Sequence, residues 1–149
     1  MGYVINWSDE YATGIDIIDE QHKRIFEYLS EIDHAIKAQS LADVEHVVKA
    51  VVDYAISHNT FEESLMEKAG YPMLDAHHKV HESFKARVNG YLQRLNGGED
   101  AFRLAREVRG DLGLWLTNHI KRDDRHYVPY VKKSLDGGFV SRMLGKFFR

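Results

Sequence analysis

The sequence predicts an all-α fold, an antiparallel up-down-up-down four-helix bundle, and three observations carry that expectation. Apolar residues recur at spacings of three and four along four long stretches. No alternating strand pattern competes with them. Turn-forming residues interrupt the 149-residue chain at only a few places, and its two prolines lie beside other break signals.

After an N-terminal arm, the first stretch predicts a helix over 16–38, because Ile18, His22, Ile25, Leu29, Ile32 and Ile36 fall on one stripe. Ser40-Leu41-Ala42-Asp43 reads as the N-cap of the next helix, with an acidic residue three positions on. That helix, over 41–69, carries Val44, Val48, Val51, Ala55, His58, Glu62 and Leu65 on its stripe. Gly70-Tyr71-Pro72 then supplies a glycine for the left-handed position after one helix and a proline for the start of another. The third helix, over 73–96, places Leu74, His77, His81, Phe84, Val88 and Leu95 together. Asn96-Gly97-Gly98 is a turn, and the fourth helix, over 99–127, aligns Phe102, Ala105, Leu112, Trp115 and His119. Pro129 removes an amide donor near the end of that segment. Residues 1–134 therefore read as the bundle and 135–149 as an extension. There Phe139, Val140, Met143, Leu144, Phe147 and Phe148 recur at helical spacing, with Arg142, Lys146 and Arg149 between them. Such a short basic amphipathic helix needs a surface: its own bundle, a second subunit or a membrane.

Composition narrows the function. Apolar residues make up 44% and charged residues 29%, the balance of a soluble globular chain. No apolar run approaches the roughly 18 residues of a membrane span. The N-terminus lacks the basic start and apolar stretch of a secretion signal, so a cytoplasmic location is expected. With no cysteine, disulfides, thiolate zinc sites and iron–sulfur clusters are excluded, and any metal must take nitrogen and oxygen ligands. A net charge of -3 argues against a nucleic-acid surface. Nine histidines are the unusual count.

Their positions are informative. His22, His58, His77, His81 and His119 lie on the apolar stripes, together with Glu62, whereas His34, His46 and His78 fall off them. A single stripe histidine is most often a hydrogen-bonded core residue. Five of them from all four helices, with a carboxylate, would bury several polar groups at a cost that a metal offsets. His58 and Glu62 are four apart, as are His77 and His81, so each pair occupies successive turns of one face. For a further carboxylate, Asp123 shares the helix face of His119, while Asp124 lies about 140° round, so bare periodicity favours Asp123. His126 returns to the stripe about 10 Å further along and caps the bundle end or faces solvent. Imidazole with carboxylate suits iron, manganese or zinc. His77-His78-Lys79-Val80-His81 lacks the glutamate of a zinc protease helix, and the one Glu-x-x-His match, Glu31 to His34, is off the stripe. The site is thus histidine-rich.

Four segments, in order, resemble the signature of the hemerythrin family: Ile18-Asp19-Glu20-Gln21-His22-Lys23; His58-x-x-x-Glu62-Glu63-x-x-Met66; Tyr71-Pro72 with His77-x-x-x-His81; and Trp115-Leu116-x-x-His119-Ile120-x-x-x-Asp124. Myohemerythrin is itself an up-down-up-down bundle. The resemblance spans residues 7 to about 130 and implies two non-haem iron ions with a bridging oxo or hydroxo group. It implies that His77, His81 and His119 bind one iron and that His22 and His58 bind the other. Glu62 and Asp124 would bridge both, which prefers Asp124 over Asp123. Such a ligand set fills all positions of two six-coordinate irons but one, left open on the iron with two histidines for O2. Trp115, Leu116 and Ile120 look like the family's pocket lining, and they also serve as ordinary core. Asn59 departs from the phenylalanine usual there. The resemblance implies reversible O2 binding, for storage or delivery to an oxygen-using enzyme, rather than enzymatic turnover. Other readings are an O2 or redox sensor acting through a partner, and a peroxidase or nitric-oxide-consuming enzyme.

Overall fold

In the computed structural model, which describes residues 6–135 and 148, four long helices form a closed ring. A short 3-10 turn, Asp9–Tyr11, precedes α1, Asp16–Lys37. The chain enters α1 through a polar clasp: the Asp19 carboxylate accepts from the Thr13 amide and hydroxyl, both at 2.8 Å, and from the Gly14 amide at 3.2 Å. Gly14 turns the chain there at φ 82°, a left-handed value that favours glycine.

The next helix, α2, spans Leu41–Ala69 and is capped as its sequence predicts, with the Ser40 hydroxyl accepting from the Asp43 amide at 3.3 Å. Gly70 ends it in the left-handed conformation, and the Tyr71 amide donates back to the Met66 carbonyl at 3.0 Å. Beyond Pro72, α3 spans Leu74–Asn96 and α4 spans Ala101–His119, the latter capped by Asp100. Ring closure comes from α1 packing on α2 and α4, α2 on α3, and α3 on α4. No strand occurs among the described residues, and no helix among them is long and apolar enough to cross a membrane.

The fourth segment differs from expectation in two ways. After His119 the helix widens into a π turn, Ile120–Asp124, and then continues as α5, Arg125–Ser134. It therefore extends past 127, with Pro129 inside α5 rather than beyond its end. Pro129 faces solvent, while Tyr127 and Val131 on either side are fully buried. Burying each of those side chains contributes roughly 1.5–3 kcal/mol, enough to offset the ~3 kcal/mol a proline costs inside a helix. The amphipathic segment expected over 137–149 lies outside the described residues apart from Phe148. The Phe148 ring sits 5.4 Å from that of Tyr54 and 5.7 Å from that of Phe61.

Two apolar clusters fill the interior. One holds Ile25, Leu29, Val48, Ala55, Phe84, Val108, Leu112 and Leu116; the other holds Ile18, Phe61, Leu65, Tyr71, Tyr127 and Val131. Along α1 the order is Ile18, His22, Ile25, and along α2 it is Ala55, His58, Glu62, Leu65. The polar stripe residues thus form a belt between two dry layers.

Candidate metal centre

All five stripe histidines, Glu62 and Asp124 are buried and meet in that belt. Glu62 Oε1 lies 3.4 Å from His58 Nε2 and 3.6 Å from His81 Nε2, and its Oε2 lies 3.8 Å from His22 Nε2. Asp124 Oδ1 is 2.9 Å from His119 Nε2 and 3.2 Å from His77 Nε2, and its Oδ2 is 3.3 Å from His22 Nε2. Each carboxylate therefore faces both sets of imidazoles. The donor atoms form two groups suited to a metal ion: Glu62, His77, His81, His119 and Asp124; and His22, His58 and Glu62.

The π turn decides which aspartate enters. A regular helix closes a turn with the residue four positions on, whereas a π turn closes it with the residue five positions on. Asp124, five after His119, is thereby brought inside and fully buried. Asp123, which bare periodicity favours, faces away from the cluster and instead accepts at Oδ2 from His119 Nδ1 at 2.8 Å. His34, His46 and His78 are exposed, and so is His126.

The bare cluster is chemically incomplete. His22 Nδ1 and Nε2, His77 Nε2, Glu62 Oε1 and both Asp124 carboxylate oxygens are buried without a hydrogen bond. His81 Nε2 and His119 Nε2 lie 3.0 Å apart, although each ring already directs Nδ1 at a carboxylate. With protons on Nδ1, two lone pairs face one another unless a cation or an additional proton lies between them. Burial and then the charge of Asp124 push the Glu62 carboxyl up to about 7. Burial alone would lower His119, but the charge of Asp124 and the hydrogen bond to Asp123 outweigh it and raise the ring to about 10. Burial takes His81 down to about 4. The protons held on His119 and Glu62 stand where a divalent ion would supply positive charge, so the residues fit metal ions.

Four further side chains position this set. With Nε2 turned inward, His58 Nδ1 donates to Gln21 Oε1 at 2.6 Å and His81 Nδ1 donates to Glu63 Oε2 at 2.9 Å. Asp123 does the same for His119, which fixes ring orientation and tautomer. Glu63 is itself held by a hydrogen bond from exposed His78. The Tyr127 hydroxyl donates to Glu62 Oε2 at 2.5 Å. From sequence, Asp123 is the carboxylate that bare periodicity favours as a ligand, Gln21 and Glu63 stand only as members of the family-like segments, and Tyr127 has no role.

An enclosed cavity of about 10 Å³, close to the least that admits one water, abuts the belt. Its walls are Ile25, Ala55, Phe84, Leu112, Trp115, Leu116 and Asn59, with His58 and His119 at its floor. Trp115 stacks on His119 at 4.4 Å and on Phe84 at 3.9 Å. Of the expected lining residues, Asn59, Trp115 and Leu116 reach this cavity. Ile120 is fully buried in the core and is not among its walls.

A ring of four antiparallel helices with imidazoles and carboxylates belted between apolar layers defines a histidine-rich metal-binding bundle. Residues 13–131 match the Hemerythrin HHE cation binding domain, and the chain belongs to the hemerythrin family, whose domain binds a non-haem di-iron centre and O2. It is 44% identical over 150 residues to a bacteriohemerythrin of Stenotrophomonas maltophilia, covering 95% of this chain and 96% of that protein. It is 30% identical over 122 residues to the myohemerythrin of Riftia pachyptila, covering 81% and 88%. A crystal structure of a hemerythrin mutant superposes with a TM-score of 0.75 at 26% identity, covering 86% of this chain and 97% of that one.

Two outcomes follow for the metal-free protein. At pH 7 His119 holds its extra proton and Glu62, raised to about 7, is only partly protonated, so loading with Fe(II) releases roughly one to two protons per chain. Calorimetry in buffers of different ionisation enthalpy measures this, and binding without proton release would contradict the charge assignment. Asp123→Ala leaves the Nε2 set in place but frees the His119 ring, and is expected to weaken metal binding about 10- to 100-fold in chelator competition.

Proposed function

We propose that this chain binds O2 reversibly at the belt, for storage or for delivery to an oxygen-using enzyme. His77, His81 and His119 would hold one iron and His22 and His58 the other, with Glu62 and Asp124 facing both. When bound, the iron pair supplies the two electrons that O2 takes up and later returns. The observation that carries the reading is the apolar cavity, lined by His58 from one ligand group and His119 from the other.

The chain's own residues favour return of O2 over its consumption. Neutral imidazoles outnumber the carboxylates and favour the reduced metal. Burial keeps His58 well below its ordinary range, so it does not hold a competing proton near neutrality. Leu112, Leu116, Phe84 and Ile25 exclude water, and the Trp115 ring lies flat against His119. Tyr127, by holding Glu62 Oε2, keeps that carboxylate oriented between the two ligand groups.

The test is optical. Protein reduced without air and exposed to O2 should develop a charge-transfer absorption that disappears when the gas is stripped and reappears over repeated cycles. Colour that forms once and cannot be reversed contradicts the carrier reading and favours oxidative chemistry or sensing.

A further inference from the structure

We propose that Asn59 is the portal between solvent and the metal centre, admitting O2 and small anions through the seam between α2 and α3. Two cavities meet at this residue. The inner one is the closed pocket over His58 and His119. The outer one is an open cleft of about 140 Å³ on the bundle surface, walled by Thr60 and Glu63 of α2 and by His78, His81, Glu82 and Lys85 of α3. Asn59 is the one residue that lines both.

Its chemistry suits a movable wall. Asn59 is 6% exposed, and its amide makes no hydrogen bond to any described residue, so no polar contact locks it across the opening. One turn earlier on α2, Ala55 lines the inner cavity with only a methyl group, leaving the Asn59 side chain as the bulk at that level. Rotation about χ1 and χ2 swings the amide between staggered positions without disturbing the helix. An amide can also pass a hydrogen bond to a water or anion leaving the polar cleft for the apolar pocket.

Size alone points elsewhere, and connectivity decides against it. A larger cleft of about 230 Å³ lies beside His77, between Tyr71, Met73, Asp123 and His126. It shares no wall with the pocket over His58 and His119.

The proposal rests on the metal-centre reading but not on reversibility of O2 binding, so azide binding to the oxidised, iron-loaded protein tests it by stopped-flow absorption. Asn59→Phe should slow azide association by about tenfold, and Asn59→Ala should speed it. Met73→Trp, which fills the larger cleft, should leave it unchanged. The portal is overturned if both Asn59 variants keep rates within about twofold of the parent, if Kd moves while association does not, or if Met73→Trp causes the slowing. Should phenylalanine not be accommodated, the faster exchange of Asn59→Ala alone decides. Absence of any azide band in the parent protein overturns the metal centre and the portal together; a normal band with unchanged rates overturns the portal alone.

Discussion

The rest of the structure depends on one electrostatic constraint: two carboxylates and five imidazoles, all buried, share a belt between apolar layers. Taking a carboxylate out of water costs several kcal/mol unless positive charge compensates it, and among the described residues no lysine or arginine is buried. Compensation therefore comes from protons or from metal ions. Protons serve poorly, because they leave His22, His77 and Asp124 with unpartnered polar atoms. Two cations would satisfy the inward atoms, His22 Nε2, His77 Nε2 and the Asp124 oxygens, at once, and the outward-facing nitrogens of His58, His81 and His119 are already committed to Gln21, Glu63 and Asp123.

Those three contacts are unequal. The rings on the side of His81 and His119 donate to carboxylates, whereas His58 donates to a neutral amide. A carboxylate partner makes an imidazole more basic and a stronger donor to a metal. The two ligand groups thus differ in electron donation as well as in number. The dry pocket opens on both, and Asn59 is the place where that dryness meets the surface.

Most of the bundle was legible because period and punctuation act locally. The cap at Ser40 and the left-handed turn at Gly70 are short-range features, and the inward positions of His22, His58, Glu62, His77, His81 and His119 follow from a regular 3.6-residue repeat. Asp124 was not legible by that rule, since the rule assumes a regular helix and the π turn breaks it. Only the family resemblance favoured Asp124 over Asp123. Pro129 misled for a related reason: a proline ends a helix unless burial on its flanks outweighs the lost bond, and Tyr127 and Val131 provide that burial. Gln21, Glu63 and Tyr127 act through other residues, so nothing in their own spacing announced them.

If buried charge is what the metal ions neutralise, the fold itself must register their removal. The most direct measurement is thermal unfolding of the iron-loaded chain and of the same chain stripped by a chelator, at pH 7 and equal concentration. Stripping is expected to lower the midpoint by at least about 10 °C, because buried polar atoms of His22, His77 and Asp124 are left without partners. Equal midpoints for the two forms would contradict it.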